Sequence, residues 1–193
     1  MPADYNSAKL NSNGGPLFRR PDLSHEEFAA AWHRHGRLVT PWCLNAGTWE
    51  YIQIHMPPPS ASPGGSSEPA APGAASDDDD DTVESRARRA LRQSDGVAIM
   101  RRYAVPTEAG QPYFERVVLV DERRFLHDES GAGAVVEDAP VYDVPALHVD
   151  VWREMALSMG GVEHVKIREG KDVAGGAMWD EWERVQKEQG SST

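Results

Sequence analysis

Two periods of apolar and polar positions run along this chain, and they mark out its elements. Phe28, Trp32, His35 and Val39 recur at intervals of 4, 3 and 4 residues, which is one face of a helix. Ser24 and Glu27 stand just ahead of that stripe as a capping box. The hydroxyl takes an orphan backbone N–H and the carboxylate reaches back to the cap. Pro41 is predicted to end this helix, because it pushes Thr40 out of the α region. Thr48–His55, TWEYIQIH, changes to a period of two and is dense in aromatic and β-branched residues. Tyr51, Gln53 and His55 share one side of that strand, Ile52 and Ile54 the other, and the prolines from Pro57 to Pro59 stop it.

Further along, Val83–Gln93 reads as a short basic helix and residues 96–105 contain a second strand, VAIMRRYAV. A turn and a second long helix follow, with Phe114, Val117, Val118 and Phe125 facing inward. Residues 128–145 are loop-like, 149–157 helical, and Val162–Arg168 is a last strand closed by a turn at Glu169 and Gly170. A C-terminal helix carries Trp179 and Trp182. This order gives an α+β fold, most of a β-α-β-β-α-β split unit whose first strand is hard to see. The chain therefore divides into a flexible arm over 1–15, one domain over 16–175, and a helix and tail over 176–193.

Composition changes the picture at one place above all. Residues 57–82 collapse to Pro, Ser, Gly and Ala and end in a run from Asp77 to Asp81. Such an insert buries too little apolar surface to offset its ordering entropy, and disorder is expected. The aspartate run lacks the Gly turn and closing Glu of an EF-hand loop and reads as a solvated acidic tract. This insert accounts for part of the low hydrophobic content of 39% and the mean hydropathy of −0.58.

The formal net charge is −11, which repels phosphate backbones. The one basic cluster, Arg86, Arg88, Arg89 and Arg92, follows directly behind the acidic run, so no nucleic-acid partner is expected. No stretch approaches the ~18 apolar residues of a membrane span, and the polar N-terminus lacks the apolar core of a signal peptide. A cytoplasmic location is the expectation. Cys43 is the single cysteine, which excludes an intramolecular disulfide and a cysteine-based zinc site.

Four segments together resemble the EthD family. RRPDLSHEEFAAAWHRHGRLVTPW is similar to its opening helix, YIQIHMPP to the second strand of its fungal branch, DERRFLH to that branch's Asp-Glu-x-x-Phe-x-Asp stretch, and GGVEHVKIREGK to its final strand. The resemblance covers about two thirds of the chain and is interrupted by two insertions. It implies a homodimeric α+β barrel of ferredoxin-like subunits, in which two four-stranded antiparallel sheets pair face to face and a pocket lies between each sheet and its helices. It also implies a fungal aromatic-polyketide enzyme of secondary metabolism, a cofactor-free decarboxylase or dehydratase acting on anthrone- and anthraquinone-type intermediates. Three departures stand out. Arg37 replaces the usual Pro of His-Gly-Pro-Leu-Val, His127 stands where many relatives carry Asp, and LNSNGGPLF occupies the place of the first strand. Two glycines and a proline make a poor central strand.

The chemistry that this implies needs a proton donor for carbon and an apolar pocket, and no metal where the substrate has its own electron sink. His35, on the apolar stripe with Trp32 and Val39, and His55, on the strand face with Tyr51 and Gln53, are the catalytic candidates. The competing readings are a core histidine for His35 and a partner- or solvent-facing strand side for His55. Asp121 and His127, flanking Phe125 near the end of the second long helix, are candidates to orient substrate hydroxyls, against the competing reading of a solvated helix end. Arg101 or Arg102 is a candidate to pair with a substrate carboxylate; alternation sends one of them inward, and Arg101 is taken as that one. Trp32 is a stacking platform or simply core.

No metal and no cofactor are expected. His33 and His35 face different ways on the helix, His25, His148 and His164 lack ligand-like spacing, and there is no GxGxxG, P-loop or GxSxG motif. The expected activity is a lyase that decarboxylates an anthrone-type carboxylic acid. Dehydratase or cyclase chemistry, a cofactor-free monooxygenase and a non-catalytic dimeric binding protein stay open beside it.

Overall fold

The computed structural model describes residues 11–58, 81–103, 108–127 and 142–191. The expected arm over 1–10 and most of the 57–82 insert lie outside the described residues. The chain builds one antiparallel sheet in the order β1-β3-β2-β4-β5, from β1 (Asn11–Leu17), β2 (Thr48–His55), β3 (Gly96–Arg102), β4 (Val162–Arg168) and β5 (Lys171–Asp172). Its helices are α1 (His25–Asn45), α2 (Val83–Gln93), a continuous helical run α3 over 108–122, α4 (Val149–Ser158) and α5 (Trp179–Gly190).

The two sides of β2 sort these helices into two layers. Ile52 and Ile54 join Val97 and Ile99 of β3, Ala87 and Leu91 of α2, and Trp152 and Ala156 of α4 in one buried cluster. Tyr51 packs on the other side with Val39, Trp42 and Cys43 of α1, Tyr113 and Val118 of α3, and Val185 of α5. The sheet is thus covered by helices on both faces. This differs from the architecture that the resemblance implies. There are five strands rather than four, and β4 pairs beside β2 instead of beside β1. The Ile52 side of the sheet carries α2 and α4.

Three local findings position the site. First, residues 11–15 belong to β1 rather than to an arm. Among the described residues β1 pairs with β3 alone, so Gly14, Gly15 and Pro16 sit on an edge strand, where a missing N–H and weak strand propensity are tolerated. A Cβ on Gly14 would fall 2.1 Å from the carbonyl oxygen of Ala98, so glycine lets the two backbones close up. Second, α1 does not stop at Pro41 but runs on to Asn45. Thr40 donates its hydroxyl to the Gly36 carbonyl at 2.8 Å, and burial of Pro41, Trp42 and Cys43 offsets the lost backbone bond. The capping box of Ser24 and Glu27 forms as expected. Third, α3 contains a π turn at Phe114–Val118, a widening that re-aims the side chains after it.

Candidate active site

Between α1, α3 and the side of the sheet that carries Tyr51 lies a cavity of about 580 Å³, within the range of small-molecule sites. Its walls are mainly apolar, with Trp32, Val39, Met100, Phe114 and Phe125 among them, and its polar lining includes His35, Tyr51, Arg102 and Glu122. The helical stripe read from the sequence delivers Trp32, His35 and Val39 to this space, and the π turn precedes Glu122 and Phe125.

His35 is buried, and both of its ring nitrogens face carboxylates. Nδ1 lies 2.9 Å from Asp121 Oδ2, and Nε2 lies 3.4 Å from Glu122 Oε1. Burial works against the charged ring, but the hydrogen bonds from Asp121 and then Glu122 outweigh it and hold the imidazole above its ordinary range. The ring thus has a short carboxylate contact at Nδ1 and a looser one at Nε2, and the pair favours its protonated form. Asp121 therefore serves His35 rather than a substrate, while Glu122, unremarked in the sequence, reaches the cavity wall.

Arg102 is the inward member of the arginine pair. Its Nε and Nη1 are buried without a hydrogen-bond partner, and the residue lines the cavity. Arg101 points to the opposite face, where it pairs with Glu50 and Asp150, so the expectation for Arg101 is corrected to Arg102. The register explains the phase: Met100 pairs with Tyr51, which puts Met100 and Arg102 on the Tyr51 side and Arg101 on the Ile52 side. Trp42 Nε1 is a second buried donor without a partner on the same cavity.

Tyr51, Trp32 and Phe125 line the cavity as expected. Gln53 does not; it is fully buried and donates from Nε2 to the Trp32 carbonyl at 2.7 Å and to the Tyr51 hydroxyl at 3.1 Å. It fixes the tyrosine rather than touching a ligand. His127 is buried beside a separate space of about 310 Å³ with Phe18 and Tyr142, and neither ring nitrogen has a hydrogen-bond partner.

His55 is also absent from the main cavity. Its ring lies against Trp32, with centroids 4.6 Å apart, and on its other side meets His164 at 4.8 Å and His33 at 6.3 Å. One ring nitrogen from each of His33, His55 and His164 lies within 4.8 Å of the others. Sequence spacing gives no hint of this grouping of His33, His55 and His164; the fold brings them together. β4 pairs with β2 so that His164 stands opposite Gln53, next to His55, a proximity that sequence spacing does not carry. Lys166 Nζ sits 3.0 Å from His33 Nδ1 and 3.3 Å from the His33 carbonyl. Burial, then Arg37, pushes that amine down to about 8.

Among the described residues no helix is long and apolar enough to cross a membrane. Comparison of the chain with protein-family models, with curated proteins and with solved structures finds no match.

Proposed function

We propose that this chain is a cofactor-independent lyase that removes CO2 from a flat aromatic carboxylic acid of the anthrone type, as in fungal aromatic-polyketide biosynthesis. The observation that carries this is the pair of buried, unpartnered nitrogens of Arg102, Nε and Nη1, on the wall of an apolar cavity that His35 and Glu122 also line. A buried cation with free N–H donors is costly unless an anion completes it, and the aromatic walls select a planar body for that anion.

The chemistry assigns the groups distinct tasks. Breaking the bond between ring carbon and carboxylate releases CO2 and leaves the electron pair on the ring, delocalised onto a substrate carbonyl oxygen. A guanidinium resting on the departing carboxylate stabilises the ground state. One resting on the carbonyl oxygen stabilises the charge that develops there, and only this accelerates the step. Arg102, with the Trp42 indole N–H, is the donor set for that oxygen. His35 supplies the proton that carbon takes up, from Nε2 as that N–H exchanges its 3.4 Å contact with Glu122 for the substrate, and Asp121 at Nδ1 orients the ring. His35 then regains a proton from solvent. Glu122 adds negative charge at the wall, which disfavours a carboxylate in the ground state.

The test is anaerobic incubation of the purified chain with an anthrone-type carboxylic acid, following CO2 and product mass. Release of CO2 with the matching mass loss is expected. His35→Gln and Arg102→Met should each lower kcat by about 100-fold or more, with a smaller change in KM. An effect of Arg102→Met confined to KM would move the guanidinium to the carboxylate. Turnover only in air would make the protein an oxygenase. Loss of water or ring closure without CO2 would make it a dehydratase or cyclase, and binding without turnover would overturn the catalytic assignment.

A further inference from the structure

We infer that His33, His55 and His164 form a binding site for a divalent transition metal, with Zn²⁺ the natural occupant and a fourth position left open. The site is separate from the cavity, and it stands whether or not the catalytic assignment above holds.

Three imidazoles from three elements, α1, β2 and β4, converge with one nitrogen each inside 4.8 Å. A tetrahedral metal with nitrogen ligands at ~2.0–2.1 Å brings those nitrogens to about 3.3 Å from one another, so the rings must close by little more than an ångström. His33 and His164 are partly exposed. His55 Nε2 is buried and has no hydrogen-bond partner, a lone pair or N–H left unanswered beside two other imidazoles. Nitrogen donors of this kind suit Zn²⁺, Co²⁺, Ni²⁺ and Cu²⁺ rather than Mg²⁺ or Ca²⁺, which want oxygen.

Lys166 and Arg37 are the cationic neighbours of the cluster. Lys166 Nζ occupies the His33 Nδ1 side, which leaves Nε2 of that ring to face a metal and makes the lysine the competitor for the site. Charge from Lys166 weakens a cation held here, and its removal strengthens one. No such gain follows if the histidines merely stack.

The experiment uses the full chain, stripped with a chelator and titrated with Co²⁺, read by visible d–d absorption and by the thermal unfolding midpoint. One saturable equivalent with the intensity of a four-coordinate site and a raised midpoint is expected. His164→Ala and His33→Gln, each checked for native far-UV circular dichroism, should weaken binding by about 100-fold or more, and His148→Ala should leave it unchanged. Lys166→Met should tighten it. Absence of a d–d band, or equal binding in wild type and both histidine variants, would overturn the site. So would a midpoint raised by inorganic phosphate and not by Co²⁺, which would make the cluster an anion site.

Discussion

His35 concentrates the physics of the site in one side chain. Burial alone pulls the ring toward its neutral form; hydrogen bonds to two carboxylates push it the other way and prevail. The sign of the stability effect follows by linkage. A histidine held above its ordinary value contributes fully below about pH 6.5, and the contribution fades as pH rises through the higher folded-state value. In chelator-treated protein, the thermal midpoint of wild type is therefore expected to exceed that of His35→Gln most at about pH 6 and less by about pH 9. Asp121→Asn, which removes the shortest carboxylate contact, should lower the His35 titration midpoint followed by NMR. A midpoint unmoved by Asp121→Asn would refute the assigned cause. At this scale the sequence was a partial guide. Trp32 and His35 were placed by helical period and Tyr51 by strand alternation, since period alone fixes which side a residue takes. Arg102 against Arg101, and His55 against the cavity, depended on the phase between neighbouring strands. That phase arises only when Tyr51 meets Met100 and Gln53 meets His164.

Among the elements, β2, α2 and β4 begin and end where periodicity and turn residues put them, because each carries a strong pattern bounded by Gly, Pro or a cap. β1 escaped notice because LNSNGGPLF has no strand pattern of its own; it is recruited by the free edge of β3. What secures its end is Asp95, buried between α2 and β3. Asp95 accepts from the Arg19 backbone N–H at 3.0 Å and from the Arg19 guanidinium, and faces His25 Nδ1 at 3.2 Å. The loop from β1 to α1 is thus tied to the loop before β3. Arg19 is about a third exposed, which moderates the charge contribution. Asp95→Ala should still cost about 2 kcal/mol in urea unfolding, whereas Arg20→Ala, on the exposed Arg20–Asp22 pair, should leave the midpoint unchanged. Equal effects from the two variants would remove Asp95 as the tie.

The whole molecule is a sheet enclosed between helices, and this is where the resemblance to a paired-sheet dimer parts from the structure. Sequence order alone could not separate the two, since the same succession of strands and helices is compatible with β4 on either side of the sheet. With β4 on the β2 side, α4 packs on the Ile52 face of the sheet. Ala156 is fully buried there. Ala156→Arg places an unpaired guanidinium in that layer and is expected to abolish the cooperative thermal transition; a wild-type midpoint in this variant would show that α4 is dispensable and the face open.

Trp32 stands between two compartments. One side of its indole forms part of the cavity wall, and the other rests on His55 of the histidine cluster. A Cβ on Gly96 would fall 2.2 Å from that ring, so the sheet behind it gives no slack. A displacement forced from one compartment must then be met in the other. Were both proposed sites to fill, linkage would make any coupling between them reciprocal: by whatever factor a cation changed the affinity for an aromatic acid, the acid would change the affinity for the cation by the same factor. The indole that joins them is also a fluorophore, so the coupling carries its own optical signal.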